Sequence, residues 1–322
     1  MAATASPPNR RRVTGWLTVS ALAATSLPPS SWAQSSPGQG EASYEPKRGQ
    51  SGKDVVWIAT PDPVVRRLLQ LAGVTANDTV VDLGSGDGNV VIAAARDFLA
   101  RALGIEFNPD LVAHAAREAA RAGVADRARF VRGDIFETDF SSATVVTMYL
   151  LPHLNVRLRP QLFRMKPGTR IVSHEFDMDD WEPDEVSRAG TRAAHLWIVP
   201  ANAGGRWRTR LARSSGSTEV QLTLEQTFQK LRGEASFDGV RTTLRMPRLA
   251  GDQIAFAFTD GDGIVRHVQA TVRAAEMTGT VSLPSGARAP FTAQREGVAP
   301  PIGGSAPVDP QRLDALQGAL QR

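Results

Sequence analysis

The sequence predicts an α/β protein built on a parallel sheet and followed by an antiparallel β domain. A glycine-rich turn at 84–88 joins an apolar run to a helical segment, and further short apolar runs follow, separated by helical spacing. This order is typical of a parallel sheet. From residue 205 onward, alternating apolar and polar residues are interrupted by turn signals. Such a pattern favours an antiparallel sheet or a small barrel.

The elements of the α/β part follow one another with little ambiguity. The first predicted helix covers 64–72, with Thr60 or Asp62 as its cap and Gly73 as its stop signal. The remaining helices are predicted over 90–99, 110–122 and 154–165, and the strand signals lie at 80–83, 102–106, 129–136, 143–149 and 166–173. One more strand is predicted over 194–199, where the character of the sequence changes. We place the boundary between the two domains at 190/191.

The glycine-rich turn indicates a nucleotide site. Asp82 ends the apolar run, and Gly84, Gly86 and Gly88 follow it with the spacing G-x-G-x-G. Glycine permits the tight turn and lets backbone N–H groups approach a ligand closely. NAD and FAD sites require G-x-G-x-x-G instead. The spacing therefore argues against a nicotinamide or flavin oxidoreductase, which is kept as one alternative.

Two acids follow in register with this turn. Glu106 ends the next apolar run, 22 residues after Gly84, where doubly wound folds place an acid for the ribose hydroxyls. Asp134 ends the run after that. The pattern resembles the first motif of class I S-adenosylmethionine (SAM)-dependent methyltransferases. It is similar to bacterial relatives of the ATP synthase c-subunit lysine methyltransferases over roughly residues 55–175.

The resemblance implies a Rossmann-like class I methyltransferase sheet, with S-adenosyl-L-methionine as the cofactor. It assigns Asp134 to the adenine amino group. It also makes Thr60-Pro61 a lid element, although a plain helix cap explains the same residues. The implied cofactor-binding residues are Thr60, Asp82, Gly84, Ser85, Gly86, Gly88, Glu106, Asp134 and Ile135.

The acceptor side of the site is less defined. Tyr149 opens a Tyr-Leu-Leu-Pro segment where enzymes that methylate DNA amines place Asn/Asp-Pro-Pro-aromatic, so the amide or acid for a base is absent. Tyr149 is either an acceptor-side residue or part of the core. His174 follows the fifth strand and is either a general base or structural. The acidic stretch 177–185 is either a solvated loop or a surface for a cationic acceptor, such as a protein lysine or another amine.

Residues 1–33 are predicted to be an export signal. Arg10, Arg11 and Arg12 precede the mildly apolar stretch 13–27, and Ser31-Trp32-Ala33 is a small-x-small cleavage site. The arginines directly before a weakly apolar stretch resemble a twin-arginine signal. We therefore expect an exported, periplasmic protein without a transmembrane anchor in its mature chain.

The predicted organisation is a signal at 1–33, a linker at 34–52, a SAM-binding domain at 53–190, a β-rich domain at 191–296 and a tail at 297–322. Loss of the signal removes three arginines and no acids, so the formal charge of +4 falls to +1. No nucleic-acid partner is expected from this balance. The chain has no cysteine, and no metal-ligand spacing stands out. A protein that binds SAM or an envelope ligand without turnover stays a second alternative.

Overall fold

The computed structural model describes residues 44–50, 52–53, 57–189, 192–213 and 216–303. The export signal predicted at 1–33 and a short helix predicted at 309–321 lie outside these residues. Within the described ranges, no helix combines the length and the apolar character needed to cross a membrane.

The chain forms four helices and sixteen strands in the described ranges. The helices are α1 Asp62–Leu71, α2 Asn89–Asp97, α3 Pro109–Arg121 and α4 Pro152–Leu162. The strands of the first sheet are β1 Thr79–Leu83, β2 Arg101–Glu106, β3 Ala128–Arg132, β4 Val145–Met148, β5 Arg170–His174, β6 Glu185–Ala189 and β7 Arg192–Ile198. Those of the second are β8 Gly205–Arg213, β9 Gly216–Thr227, β10 Lys230–Phe237, β11 Val240–Thr243, β12 Arg245–Ala250, β13 Gln253–Thr259, β14 Val265–Arg273, β15 Glu276–Ser282 and β16 Arg288–Glu296.

The first sheet has the order β3-β2-β1-β4-β5-β7-β6. Strands β1 to β5 run parallel, whereas β7 is antiparallel to both β5 and β6. Strand order reverses between β1 and β4, so the carboxyl ends of these two strands open a crevice for a ligand. The predicted Rossmann-like class I methyltransferase sheet is confirmed.

One expectation about a single element is wrong, and one predicted strand belongs to the first sheet. The strand predicted at 194–199 is β7, which pairs with β5, so the change of sheet falls after Ile198. It belongs to the first sheet because β7 has a run of buried residues instead of the one-sided alternation seen from β8 onward. The cap of α1 is Pro61, and no side chain of Thr60 or Asp62 bonds to the helix start.

The two faces of the first sheet are covered unequally. Helices α1 and α2, together with part of α3, pack on one face through apolar residues such as Leu68, Leu69 and Val91. On the other face α4 contributes Leu154, Leu158 and Leu162. The connection from β5 to β6 contains no helix, and Trp181 from this connection is completely buried on the second face.

The second sheet curls into a nearly closed barrel. Its order is β11-β10-β9-β8-β16-β15-β14-β13-β12, and all of its neighbours are antiparallel. The edge strand β12 comes into contact with β10, which lies next to the other edge strand, β11. Apolar side chains fill the interior, and an ion pair between Arg266 Nε and Asp260 Oδ2, at 2.6 Å, is buried with them. The predicted C-terminal antiparallel β domain is confirmed.

The barrel completes the core of the first domain through the turn between β9 and β10. Phe228 at this turn stacks on Trp181, with ring centroids 6.0 Å apart. Gln229 accepts a hydrogen bond from Trp181 Nε1 at 3.0 Å and donates one to the Glu182 carbonyl at 2.7 Å. The face that α4 covers alone is thus closed by a hairpin of the second domain.

Candidate active site

A cleft opens at the carboxyl ends of β1, β2, β3 and β4. It encloses about 1060 Å³, part of it open to solvent. Eight of the nine predicted cofactor-binding residues line it: Thr60, Asp82, Gly84, Ser85, Gly86, Glu106, Asp134 and Ile135. The predicted catalytic candidate Tyr149 also lines the cleft, whereas Gly88 and His174 do not.

The glycine turn has the backbone that its sequence predicts. Gly84, Gly86 and Gly88 all have positive φ angles, of 76°, 54° and 83°, which glycine adopts without a steric penalty. Gly88 precedes α2, and a Cβ there would lie 2.7 Å from the Phe130 ring. Gly88 therefore serves close packing between the turn and β3, while the other two glycines face the cleft.

Asp82 is the buried acid of the cleft, with 5% of its surface exposed. Thr147 at the end of β4 donates a hydrogen bond to Asp82 Oδ1 at 2.6 Å. Burial raises the pKa of Asp82 to about 7; the Thr147 hydrogen bond opposes this rise and the nearby Asp87 and Glu106 carboxylates add to it. Asp82 is therefore poised to change charge near neutral pH.

Glu106 ties β2 to the glycine turn. Its Oε2 accepts a hydrogen bond from the Gly86 amide at 3.0 Å, and its Oε1 accepts one from the Asn108 amide at 2.8 Å. A carboxylate held by two backbone amides has a fixed orientation, and each oxygen keeps a lone pair for a further donor. Glu106 can thus hold a diol at the edge of the cleft.

Asp134 and Ile135 follow β3, one strand further out than Glu106. The Phe136 amide donates to Asp134 Oδ1 at 2.9 Å, and Lys53 forms an ion pair with Oδ2. Burial raises the pKa of Asp134, but the hydrogen bonds from Lys53 and Phe136 outweigh it, so that the pKa lies below its usual range. Ile135 and Phe107 add flat apolar surface to this end of the cleft.

Thr60 lies at the other rim of the cleft, next to the start of α2. Asn89 Nδ2 donates hydrogen bonds to the Thr60 carbonyl at 3.0 Å and to Asp62 Oδ1 at 2.9 Å. These bonds fasten the residues ahead of α1 to the helix that follows the glycine turn. Thr60 is therefore part of a cleft wall formed by the residues ahead of α1 and by the start of α2. A role as helix cap alone would not have predicted this contact.

Tyr149 and His174 lie together but play different parts. Their rings are in contact, with centroids 4.2 Å apart and planes tilted by 43°, and Tyr149 is half-buried at the cleft wall. His174 is completely buried, and neither ring nitrogen has a hydrogen-bond partner among the described residues. Burial lowers the pKa of His174 to about 4. His174 is thus a neutral imidazole behind Tyr149, away from any group that enters the cleft.

The acidic stretch after β5 is largely engaged within the chain. Asp180 pairs with Arg159 at 2.6 Å, and Glu182 pairs with Lys230 at 2.6 Å. Asp184 accepts a hydrogen bond from the Ile198 amide at 2.7 Å. None of the acids from 177 to 185 lines the cleft. These acids therefore lie outside the cofactor cleft, and both interpretations of the stretch, a solvated loop and a surface for a cationic acceptor, stay predictions.

The cleft fits S-adenosylmethionine on structural grounds of its own. The Ser85 hydroxyl is buried at the cleft wall without a hydrogen-bond partner among the described residues, so it can serve a ligand. A Cβ at Gly84 would lie 3.3 Å from Leu150, and one at Gly86 would overlap Trp57, so close packing as well as the positive φ angle requires glycine at both positions. No group of acids and histidines in the described part could hold a metal ion.

Comparison with known proteins agrees with this site. The family model for the ANTKMT methyltransferase domain matches residues 82–185. A protein-lysine N-methyltransferase of Saccharolobus islandicus is 48% identical over 134 residues, which cover 41% of this chain and 83% of that protein. The chain belongs to this family of SAM-dependent methyltransferases.

Other relatives of this methyltransferase match over similar lengths. The human ATP synthase c-subunit lysine N-methyltransferase is 32% identical over 148 residues, and the chain spans 61% of its length. A solved structure described as an RNA methyltransferase from Salinibacter ruber, in complex with S-adenosyl-L-homocysteine, is 52% identical. The match covers 44% of the present chain and 94% of the Salinibacter chain, with a TM-score of 0.44. The family model ends at residue 185, so the barrel follows the matched region of this methyltransferase.

The sequence missed several residues of the methyltransferase cleft. Lys53 and Trp57 reach it from the first residues of the predicted SAM-binding domain, ahead of α1, and Phe107 and Thr147 complete its walls. Thr147 had a signal available, since it occupies the position in β4 beside Asp82 in β1. Lys53 and Trp57 had none, because their approach depends on how the segment ahead of α1 folds over the sheet.

Proposed function

We propose that this methyltransferase acts on the ε-amine of a protein lysine. The observation in favour is the 48% identity to a protein-lysine N-methyltransferase over 83% of that protein's length. The relatives named for lysine methylation of the ATP synthase c-subunit agree in acceptor type. Predicted export to the periplasm is a separate proposal, which would place the acceptor among envelope proteins.

The cleft supplies what such a transfer requires. When bound, S-adenosylmethionine provides a methyl group on a positively charged sulfur. In this proposal Glu106 and the glycine turn fix the ribose and the adjoining part of the cofactor, and Asp134 accepts a hydrogen bond from the purine amine. At the opposite end of the cleft, Tyr149, Leu150 and Leu154 form an apolar and aromatic wall. Such a wall suits an aliphatic lysine stem.

The reaction depends mainly on alignment. The amine nitrogen must lose its proton before its lone pair can bond to the methyl carbon, while the bond from sulfur to methyl breaks and leaves a neutral thioether. His174 is not placed to take that proton, because it is buried behind Tyr149. We propose that the proton leaves to solvent and that the described cleft contributes by positioning. The rate should therefore rise with pH toward the pKa of the amine.

Labelled-methyl transfer decides the class of acceptor. The purified chain is incubated with methyl-labelled SAM and an extract from cells that lack the protein, and the product is divided between protease and ribonuclease treatment. Label released by protease alone supports lysine, and label released by ribonuclease alone supports RNA. A matched extract, whose lysines have been acetylated chemically beforehand, should then accept no label. Continued labelling of that blocked extract would reject the proposal.

A further inference from the structure

The segment ahead of α1 reaches the cofactor cleft with two side chains. Trp57 lies against Gly86, and Lys53 lies beside Asp134. The segment also contacts α3, where the Tyr44 carbonyl meets His114 Nδ1 at 3.2 Å. The family model begins only at residue 82. These side chains therefore come from outside the matched region and act on its cleft.

Both carboxylate oxygens of Asp134 already accept a donor from the chain itself. One carboxylate oxygen accepts the Phe136 amide, and the other forms an ion pair with the Lys53 ammonium. The side chain of Asp134 is only 12% exposed, compared with 38% for Lys53. The same ammonium lies 5.1 Å from the centroid of the Phe107 ring. Lys53 thus stands between the carboxylate and the flat apolar surface at this end of the cleft.

This end of the cleft is the one that suits a purine. Sheet order places Asp134, just after β3, next to the carboxylate of Glu106 at the end of β2, which is suited to a diol. A purine that extends from the ribose toward β3 would lie among Phe107 and Ile135, with its exocyclic amine toward Asp134. That amine is a neutral donor, whereas the Lys53 ammonium adds the attraction of a full positive charge to its hydrogen bond with the carboxylate. The Lys53 ammonium and the purine amine would thus bind the same carboxylate, that of Asp134.

We infer that Lys53 competes with the purine amine of the cofactor for Asp134, so that the chain limits its own affinity for the cofactor. The inference rests on the cofactor and not on lysine as the acceptor. Loss of the ammonium should leave Asp134 available to the purine, whereas its replacement by another cation should keep the competition. Lys53 would then be a determinant of cofactor affinity that the shared domain does not contain.

Titration calorimetry with S-adenosyl-L-homocysteine tests the inference on the full chain, without any acceptor. Lys53→Met should bind this probe roughly 1.5- to 5-fold more tightly, the range expected when a partly exposed ion pair is removed. Lys53→Arg should bind like the wild type. Lys47→Met is a matched control, because Lys47 is an exposed lysine of the same segment away from the cleft. Its affinity should not change.

A double-mutant cycle identifies the shared carboxylate. Asp134→Asn should weaken binding of S-adenosyl-L-homocysteine. Lys53→Met should give no gain in affinity when Asp134→Asn is already present. The difference between the wild type and Lys53→Met should also shrink at high salt, because ions screen a partly exposed pair. Equal or weaker binding by Lys53→Met, with unchanged circular dichroism and thermal midpoint, would overturn the inference. An Asp134→Asn variant that binds as the wild type would also overturn it.

Discussion

The charge of Asp82 should control cofactor affinity near neutral pH. Its carboxylate is buried in the cleft and accepts a hydrogen bond from the Thr147 hydroxyl at 2.6 Å. With a pKa raised to about 7, it is roughly half ionised at pH 7. S-adenosylmethionine brings positive charge, which favours the ionised form. We therefore expect cofactor affinity to rise with pH through this range.

The size of the effect follows from the ionised fraction. Between pH 8 and pH 6 the ionised fraction of a group with this pKa falls about tenfold, so affinity should fall by up to about tenfold. Thr147→Val removes a hydrogen bond to a charged group, worth about 1.5–3 kcal/mol, which should move the midpoint about 1–2 pH units upward. Asp82→Asn should bind weakly at every pH.

Calorimetric titration with SAM from pH 5.5 to 9 measures how cofactor affinity depends on pH. Thermal unfolding tests the ionisation of Asp82 independently. The native state binds the Asp82 proton more tightly than the unfolded chain does. The free energy of unfolding should therefore fall as pH rises from 3.8 to about 7. Asp82→Asn should remove that slope and unfold at a higher temperature at pH 8. Flat wild-type affinity across the range, or an Asp82→Asn variant with the wild-type profile, would refute the reasoning.

Three further predictions address the ribose acid, the buried imidazole and export. Glu106→Ala should weaken SAM roughly 10- to 150-fold, since it removes a charge-assisted contact; calorimetry that shows unchanged affinity in a folded variant would contradict this. His174→Phe should raise the free energy of unfolding by about 1–3 kcal/mol, because it replaces with carbon two ring nitrogens that have no partner among the described residues. In the same denaturant titration His195→Phe should not, since His195 Nε2 lies 3.2 Å from the Glu175 carbonyl. Changing the arginines at 10–12 to lysine should block export if the twin-arginine route operates, and periplasmic recovery at the wild-type level would favour the general pathway.

The sequence determined most of the first domain and the cofactor half of its site. A glycine turn is set by local backbone geometry, so Gly84 and Gly86 could be placed from their neighbours alone. Parallel strands bring their carboxyl ends to one edge of a sheet, so the sequence alone predicted that Glu106 and Asp134 lie near each other. Both inferences use short-range rules, which a linear pattern retains.

Only the tertiary structure decided the rest. Pairing of β7 with β5 depends on which strands meet across the fold, and this made residues 192–198 part of the first sheet. His174 follows a strand at the ligand edge, yet packing turns it behind Tyr149 and removes it from the cleft. Lys53 reaches Asp134 across 81 positions of sequence. Contacts of that kind arise from packing between segments that are distant in the sequence. Local residue propensities therefore cannot predict them.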